Sequence, residues 1–241
     1  MILAILQARM GSTRLPGKVL MKILGKPMLE LQIERILRAE SIDKLVVATS
    51  ANYENNEIKD FCEKNNIECF RGSENDLLDR YYQCANQYKP SFIVRLTGDD
   101  PLACPEVIDE MINIAKNGNF DAVTNTVHPT FPEGLDATVM SFETLKKAWS
   151  SAKQEYQREH VAPYIFDNED KFNVYHFRQR NDLSMFRWTV DYMSDFLFIK
   201  KIYKELYTYN YDFSSEDVYL LLKKKPELLS INSQDKRESK L

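Results

Sequence analysis

The stretch "LQARMGSTRLPGKVL", at residues 6–20, joins an apolar segment to a helical pattern and concentrates glycine, proline and positive charge in one loop. A tight strand-to-helix connection of this kind is typical of an anion site, because its backbone N–H groups and cationic side chains face a bound phosphate. A solvated basic edge is the alternative interpretation. The positive charge is local to this part of the chain, which holds Arg9, Arg14, Lys18, Lys22 and Lys26.

The loop is not a nucleotide-binding P-loop. That motif needs four residues between its glycines and then Lys followed by Ser or Thr, so that the backbone curls around a phosphate and the hydroxyl reaches Mg²⁺. Here five residues separate Gly11 from Gly17, Pro16 removes an N–H donor, and Val19 follows Lys18. If the loop wraps a triphosphate, it does so by a different geometry.

Length and composition favour a single α/β domain. The chain has 241 residues, of which 44% are hydrophobic, enough for a core that needs no disulfide or metal. A formal net charge of −4 argues against a protein that grips long nucleic acid, because such binding needs many phosphate contacts from a basic face. No signal peptide, membrane-spanning apolar run or metal-ligand spacing of cysteines is apparent. We therefore expect a reduced, cytoplasmic protein.

Short apolar runs bounded by turn residues alternate with segments of helical periodicity. This alternation predicts βαβ units with a largely parallel sheet and helices on both faces. The predicted strands are 2–6, 44–49, 67–70, 92–96 and 121–124. One helix is predicted to begin at Pro27. Three more are predicted over 54–64, 76–88 and 105–116.

The rhythm changes beyond residue 125, where a loop with two prolines precedes further helical stretches. We interpret 126–182 as an insertion or dimerisation region within one domain over 1–232. Two more strands are predicted near 172–178 and 185–190, followed by helices from residue 194 and a frayed tail over 233–241.

Carboxylates follow two of the predicted strands. Asp99 and Asp100 end "FIVRLTGDDP", and Asp191 ends "FRWTVD". Ligands of open α/β sheets gather at the carboxyl ends of strands, so these side chains and the basic loop are expected at one edge. Together they would form a Mg²⁺-nucleotide site, because the hard cation takes oxygen ligands and keeps substrate phosphates. Helix capping or a turn is the simpler alternative for Asp99 and Asp100.

Other polar residues carry weaker signals. His160 lies on a predicted helix, where a lone histidine is more often structural than catalytic, and His128 and His176 have no evident partners. An i,i+4 pair of Asp76 with Arg80 accounts for the charges in "FRGSENDLLDRYY". The sequence shows no Ser/His/Asp arrangement and no thiol beside a histidine, so covalent catalysis has no visible nucleophile.

These motifs make the chain resemble the SpsF-type cytidylyltransferases, relatives of the enzymes that produce CMP-Kdo and CMP-sialic acid. The resemblance covers nearly the whole length and rests, in order, on "QARMGSTRLPGKVL", "GKPML", "FRGSENDLLDRY", "VRLTGDDPL", "PEGLDATVMSFETLKKAW", "REHVAPYIFDN" and "RWTVD". It implies a Rossmann-like, GT-A-like nucleotidyltransferase fold with a mixed, mostly parallel sheet.

By this resemblance, the glycine-bearing loop would wrap the triphosphate of CTP, with Arg14 and Lys18 on its phosphates and Arg9, Gly11, Ser12 and Thr13 nearby. Asp99 and Asp191 would hold Mg²⁺. Residues near the base or ribose would be Gln7, Arg71 and Arg95, and those facing the acceptor would be Glu133, Gly134 and Asp136. The family often has another residue at the position of Asp100, where an added carboxylate would alter either metal binding or only local hydrogen bonds.

The implied reaction is attack of an acceptor oxygen on the α-phosphorus of CTP, with release of pyrophosphate. Arg14, Lys18 and Asp99 would carry catalysis by positioning and by charge, in a homodimer. The acceptor is left open among nonulosonic acids, other sugar acids, and phosphorylated sugars or polyols. Two alternatives remain at this point: a glycosyltransferase that uses "GDDP" as a metal motif, and a nucleotide-binding protein without catalysis.

Overall fold

The core of the chain is a seven-stranded sheet, seen here in a computed structural model that describes residues 1–234. Its strands are β1 (Ile2–Gln7), β4 (Lys44–Ser50), β5 (Glu68–Gly72), β6 (Phe92–Thr97), β7 (Ala122–Thr124), β8 (Thr138–Ser141) and β9 (Val174–His176). The short strands β2 (Lys22–Ile23) and β3 (Lys26–Pro27) pair with each other outside this sheet.

The helices are α1 (Met28–Ile36), α2 (Asn56–Lys64), α3 (Leu77–Tyr88), α4 (Pro105–Asn117), α5 (Phe142–Ser151), α6 (Glu155–His160), α7 (Pro163–Phe166), α8 (Met193–Leu206) and α9 (Ser215–Lys224). Short 3₁₀ segments cover Lys18–Leu20, Tyr53–Asn55 and Pro226–Ile231. The predicted strands of the first half and the predicted helices up to residue 116 are confirmed.

The strand order is β5-β4-β1-β6-β8-β7-β9. Only β8 runs antiparallel to its neighbours within this described sheet, pairing with β6 on one side and β7 on the other. The sheet is thus mixed and mostly parallel, as predicted. The carboxyl ends of β1, β4, β5 and β6 meet at one edge, and the loops that leave them form the walls of the site.

Apolar residues alternate between the two faces of the sheet. In β1, Leu3 and Ile5 belong to the same core layer as residues of α3 and α5, whereas Ala4 and Leu6 belong to the layer that includes residues of α1, α4 and α8. Because successive side chains of a strand point to opposite faces, this alternation gives two core layers with helices on both sides.

The second half differs from the prediction in two respects. The strand predicted near 172–178 is present only as β9, and residues 185–190, all of which the structure describes, form no regular strand. Their N–H groups are used by two separate loops: Trp188 donates to Glu133 O at 2.6 Å, and Val190 to Asp99 O at 2.8 Å. A segment that bridges two loops has no single partner strand, so it stays irregular.

The segment 126–182, interpreted as an insertion, contributes β8 and β9 to the sheet itself. These two strands are therefore part of the central architecture, and a role of the remaining segment in dimerisation stays a prediction. Most of the predicted tail, from residue 235 on, lies outside the described residues.

Candidate active site

The loop after β1 closes on one carbonyl group. Met10 O accepts hydrogen bonds from the N–H groups of Ser12 and Gly17, both at 2.9 Å. The N–H of Met10 is itself held by Asn55 Oδ1 at 2.8 Å. Gly17 has φ 70°, a left-handed conformation that glycine adopts without strain, and the chain then enters the turn that begins with Lys18. The loop thereby directs Lys18 inward.

Lys18 joins the two aspartates that the sequence separates. Its Nζ donates to Asp99 Oδ2 at 3.2 Å, to Asp191 Oδ1 at 3.0 Å and to Val190 O at 2.7 Å. Only 7% of Lys18 is exposed. The predicted convergence of Asp99 and Asp191 is thus present in the structure, and the ammonium group lies between the two carboxylates.

The charges of this centre support one another. Burial alone would lower the pKa of the Lys18 ammonium, but Asp99 and Asp191 outweigh that cost, so its pKa is raised. Burial would raise the pKa of Asp191, but the cations Lys18, Arg14 and Arg187 lower it to about 2. Arg14 Nη2 lies 2.8 Å from Asp191 Oδ1. The centre is therefore a compact set of ionised groups at neutral pH.

Asp191 should make folding stability depend on acidic pH. Its pKa of about 2 in the folded protein lies below the roughly 3.9 of an unfolded aspartate. The ionised carboxylate of Asp191 therefore contributes its full stabilisation of the fold at pH values above about 4. With allowance for solvent screening, we expect about 1 to 2 kcal/mol, lost as the pH falls from about 4 towards 2. Denaturant unfolding of the native protein and of Asp191→Asn would measure this. A stability difference between the two that stays constant over this range contradicts the assignment.

The aspartates and the loop line a cleft of about 620 Å³ at the carboxyl edge of the sheet. Most of the predicted site residues lie on its walls: Gln7, Arg9, Ser12, Thr13, Arg14, Lys18, Arg95, Asp99, Glu133, Asp136 and Asp191. The basic loop after β1, the start of β8 and the loop after β6 thus face one space. This space is large enough for a nucleotide with part of an acceptor.

Three predicted site residues are absent from the cleft lining within residues 1–234: Gly11, Arg71 and Gly134. Gly11 belongs to the loop itself. Arg71 is held elsewhere, since it donates to Ser50 O at 3.0 Å, Asn52 O at 2.7 Å and Asn56 Oδ1 at 2.6 Å. The guanidinium of Arg71 thus secures the start of α2, and its expected role near the base or ribose stays a prediction.

Gly134 has a structural reason to be glycine. Its φ is 107°, and a Cβ there would lie 2.6 Å from both Thr189 N and Trp188 C. We expect Gly134→Ala to cost roughly 3 kcal/mol or more of folding free energy, from backbone strain plus overpacking.

Gly25→Ala is the matched control for Gly134, because Gly25 has φ 87° but a Cβ added there would meet no other atom within 4 Å. Gly25→Ala should lower the free energy of unfolding by only about 1 kcal/mol, from backbone strain alone. Equal losses in denaturant unfolding of the two variants would contradict a steric role for the contact with Trp188 and Thr189.

Asp100 turns away from the cleft. It is 3% exposed, its Oδ2 accepts from Thr97 Oγ1 at 2.7 Å, and it borders a separate, mostly apolar space of about 10 Å³ with Gln32 and Asp136. Of the two roles considered for this extra carboxylate, the structure supports local hydrogen bonding.

The predicted pair of Asp76 with Arg80 is wrong. Asp76 Oδ1 caps α3 at the N–H of Asp79, and its Oδ2 accepts from Arg158 Nε at 2.7 Å. Arg80 instead donates to the carbonyls of Ser73, at 2.7 Å, and Glu74, at 3.0 Å. Helical spacing permits the ion pair, but the capping position of Asp76 turns its carboxylate elsewhere.

Some cleft residues were missed by sequence reasoning. His160, interpreted as structural, lines the cleft together with Glu159 and Phe166, and Arg80 borders it as well. Arg187, in the quoted motif "RWTVD", was given no role, although it contacts Asp191. A motif that pairs an arginine with an aspartate four residues later was the available signal.

The model of the cytidylyltransferase family matches residues 3–220. The chain belongs to this family. The Bacillus subtilis (strain 168) spore coat polysaccharide biosynthesis protein SpsF is 31% identical over 243 residues, which cover 97% of this chain and 99% of SpsF. The resemblance that the motifs indicated is thus confirmed.

Solved structures agree with this cytidylyltransferase assignment. A cytidylyltransferase from Leptospira borgpetersenii serovar Hardjo-bovis (strain JB197) has a TM-score of 0.91 at 32% identity, covering 98% of this chain and 99% of its own. A CMP:2-keto-3-deoxy-manno-octonic acid synthetase in complex with CTP has a TM-score of 0.66 at 16% identity, covering 85% and 99%. The second likeness is one of fold. Within residues 1–234, no helix combines the length and apolarity needed to cross a bilayer.

Proposed function

We propose that this cytidylyltransferase transfers CMP from CTP to a sugar-type acceptor, acidic or phosphorylated, and releases pyrophosphate. The observation that carries the proposal is the meeting of Lys18, Asp99 and Asp191 at the mouth of the basic loop. Membership of the family supports the nucleotide and the reaction type. SpsF, by its name, supports a place in polysaccharide biosynthesis.

The residues present fit a divalent cation that arrives with the nucleotide. Asp99 Oδ2 and Asp191 Oδ1 both approach one point, now taken by the ammonium of Lys18. Among residues 1–234 no group of three or more His, Cys, Asp or Glu side chains is arranged to hold a metal. Two carboxylates with phosphate oxygens as further ligands are typical of Mg²⁺. When bound, the ion would supply positive charge to the reacting phosphates.

The chain's own residues supply the rest of the chemistry. An oxygen of the acceptor bonds to the α-phosphorus, and the bond from that phosphorus to the pyrophosphate oxygen breaks. Where the attacking oxygen is a hydroxyl, its proton leaves to solvent; where it is already anionic, no proton has to leave. Arg14 and Lys18 would face the negative charge that grows on the phosphates, at a site buried enough for charge to act strongly. Holding both substrates in one cleft converts their encounter into an internal reaction.

A pyrophosphate-release screen tests the proposal. Each of the four ribonucleoside triphosphates is paired with acidic sugars, phosphorylated sugars and neutral sugars, with and without Mg²⁺. We expect release from CTP with an anionic acceptor and in the presence of Mg²⁺. CTP binding without turnover by any acceptor would favour a non-catalytic nucleotide-binding protein, and use of a sugar nucleotide with release of a nucleoside diphosphate would favour a glycosyltransferase.

The expectations of a homodimer and of a cytoplasmic location are part of the same proposal. Exposed apolar side chains on the later helices, among them Met193 and Leu197 of α8, are compatible with association of two chains. Light scattering coupled to size-exclusion chromatography gives the mass in solution, and a monomer at micromolar concentration would remove the dimer from the proposal.

A further inference from the structure

The carboxylate of Asp191 is divided between two groups of cations. Its Oδ1 faces Lys18 Nζ at 3.0 Å and Arg14 Nη2 at 2.8 Å, on the side of the cleft. Its Oδ2 accepts from Arg187 Nη2 at 2.9 Å, on the side of the protein interior. One oxygen is therefore held from behind while the other is presented to the phosphate-binding residues.

Arg187 is in turn fixed by two further carboxylates. Its Nε and Nη2 donate to the two oxygens of Asp195 at 3.0 and 3.1 Å, and its Nη1 donates to Glu133 Oε2 at 2.7 Å. The side chain of Arg187 is 8% exposed and that of Asp195 is fully buried. A planar guanidinium can serve three carboxylates in fixed directions, which an ammonium on a flexible stem cannot do.

Asp195 and the segment after α9 complete the support. Asp195 Oδ2 also accepts from the N–H groups of Asp191 and Tyr192, both at 3.0 Å, so it fixes the backbone on which Asp191 is mounted. Asn232 Nδ2 donates to Asp195 Oδ1 at 3.0 Å and to Arg187 O at 3.1 Å. Asp195 and Asn232 are not among the residues that line the cleft, so they act on the site through Arg187 and Asp191.

We propose that Arg187 is a positioning residue: it fixes the rotation of the Asp191 carboxylate, so that one oxygen is always directed at the nucleotide site. The inference rests on the proposed function, since it assigns the orientation of one of the two carboxylates of that site. It also connects Asp191 with Glu133, the cleft residue that shares the same guanidinium. The two sides of the cleft are thereby held in a fixed relation.

A purely structural role is the alternative, because several buried carboxylates would lose their cation if Arg187 were removed. The two roles predict different properties for a variant that still folds. A structural arginine affects unfolding alone. A positioning arginine also affects the gain in nucleotide affinity that Mg²⁺ brings, because that gain depends on where Asp191 Oδ1 points.

Two variants and a control test the proposal. Arg187→Lys keeps the positive charge but loses the planar guanidinium with its several fixed hydrogen-bond donors. Asp195→Asn keeps the shape of the side chain but replaces one of the carboxylate oxygens that bind the guanidinium with an amide. Arg38→Lys is the control, since Arg38 forms an ion pair with Asp212 on the surface at 2.9 Å, away from the cleft. CTP affinity is measured by calorimetry with Mg²⁺ and with EDTA, and kcat and KM are measured by pyrophosphate release with the acceptor found in the screen.

We expect Arg187→Lys to lower the Mg²⁺-dependent CTP affinity or kcat by about 10- to 100-fold, as is usual for groups that orient a metal-binding carboxylate. CTP affinity in EDTA should be unchanged, Asp195→Asn should show a smaller loss of the same kind, and Arg38→Lys should match the native protein. If Arg187→Lys does not fold, Asp195→Asn decides the question. A folded variant with native Mg²⁺-dependent affinity and native kcat overturns the proposal.

Calorimetry separates this test from the proposed function. If no acceptor yields pyrophosphate, the effect of Mg²⁺ on CTP affinity still compares Arg187→Lys with the native protein. In that case no kcat exists to compare, and a native-like effect of Mg²⁺ on the CTP affinity of Arg187→Lys would by itself overturn the role of Arg187. A lost effect of Mg²⁺ would support it, even if the acceptor class proposed above were wrong.

Discussion

Lys18→Ala should lower the rate of pyrophosphate release by about 10²- to 10³-fold, because it removes a buried cation from the place where phosphate charge develops. The ammonium of Lys18 is the group that joins Asp99, Asp191 and the carbonyl of Val190. Without it, two carboxylates face each other with less compensation, so the variant should bind CTP more weakly as well. Steady-state kinetics with Mg²⁺ and the acceptor from the screen measure both effects.

Lys22→Ala is the matched control for Lys18, since Lys22 is exposed, belongs to the same basic segment and is absent from the cleft lining. It should retain native kinetics. If the two variants lose activity equally, the whole segment acts as a diffuse basic surface, which was the simpler interpretation of the sequence. Circular dichroism and thermal melting establish that both variants are folded.

Asp99→Asn should have an effect of similar size, about 10²- to 10³-fold on kcat/KM, with a higher Mg²⁺ requirement. The change keeps the shape of the side chain but replaces an anionic oxygen with an amide. The backbone role of Asp99 is untouched, because its carbonyl still accepts from the N–H of Val190 at 2.8 Å. The loss should therefore appear in catalysis more than in stability.

An exposed aspartate provides the comparison for Asp99. Asp170→Asn changes the same chemical group on the surface, outside the cleft lining, and should leave kcat/KM unchanged. Native turnover by Asp99→Asn over a full Mg²⁺ titration would show that this carboxylate neither holds a metal nor orients Lys18.

The sequence predicts the first half of the fold well because its signals are local. The βαβ rhythm up to β6 depends on apolar periodicity and on turn residues, and each strand there pairs with a neighbour in a repeating pattern. The second half depends on contacts between residues far apart in the sequence, and no local pattern indicates these contacts. The antiparallel entry of β8 between β6 and β7 and the irregular course of 185–190 are set by tertiary partners.

The site shows the same division between local and tertiary information. Lys18 and Asp99 follow strands directly and could be assigned to one edge of the sheet by the general rule for α/β folds. The directions of the Arg71 and Arg80 side chains could not be predicted, because they depend on the carbonyl groups around each guanidinium and, for Arg71, also on Asn56 Oδ1. Arg187 was overlooked because it is buried behind Asp191 and acts through it.

The position of β8 also has a consequence for synthesis on the ribosome. Within the described sheet, β7 pairs only with β8 and β9, and both are translated after it. When β7 leaves the exit tunnel it therefore has no strand to join, whereas β1, β4, β5 and β6 can already assemble. The loop after β1 and the end of β6 can thus take their places on a nascent chain, whereas Asp191 and the part of the cleft that contains Asp136 and Thr138 must wait for later residues.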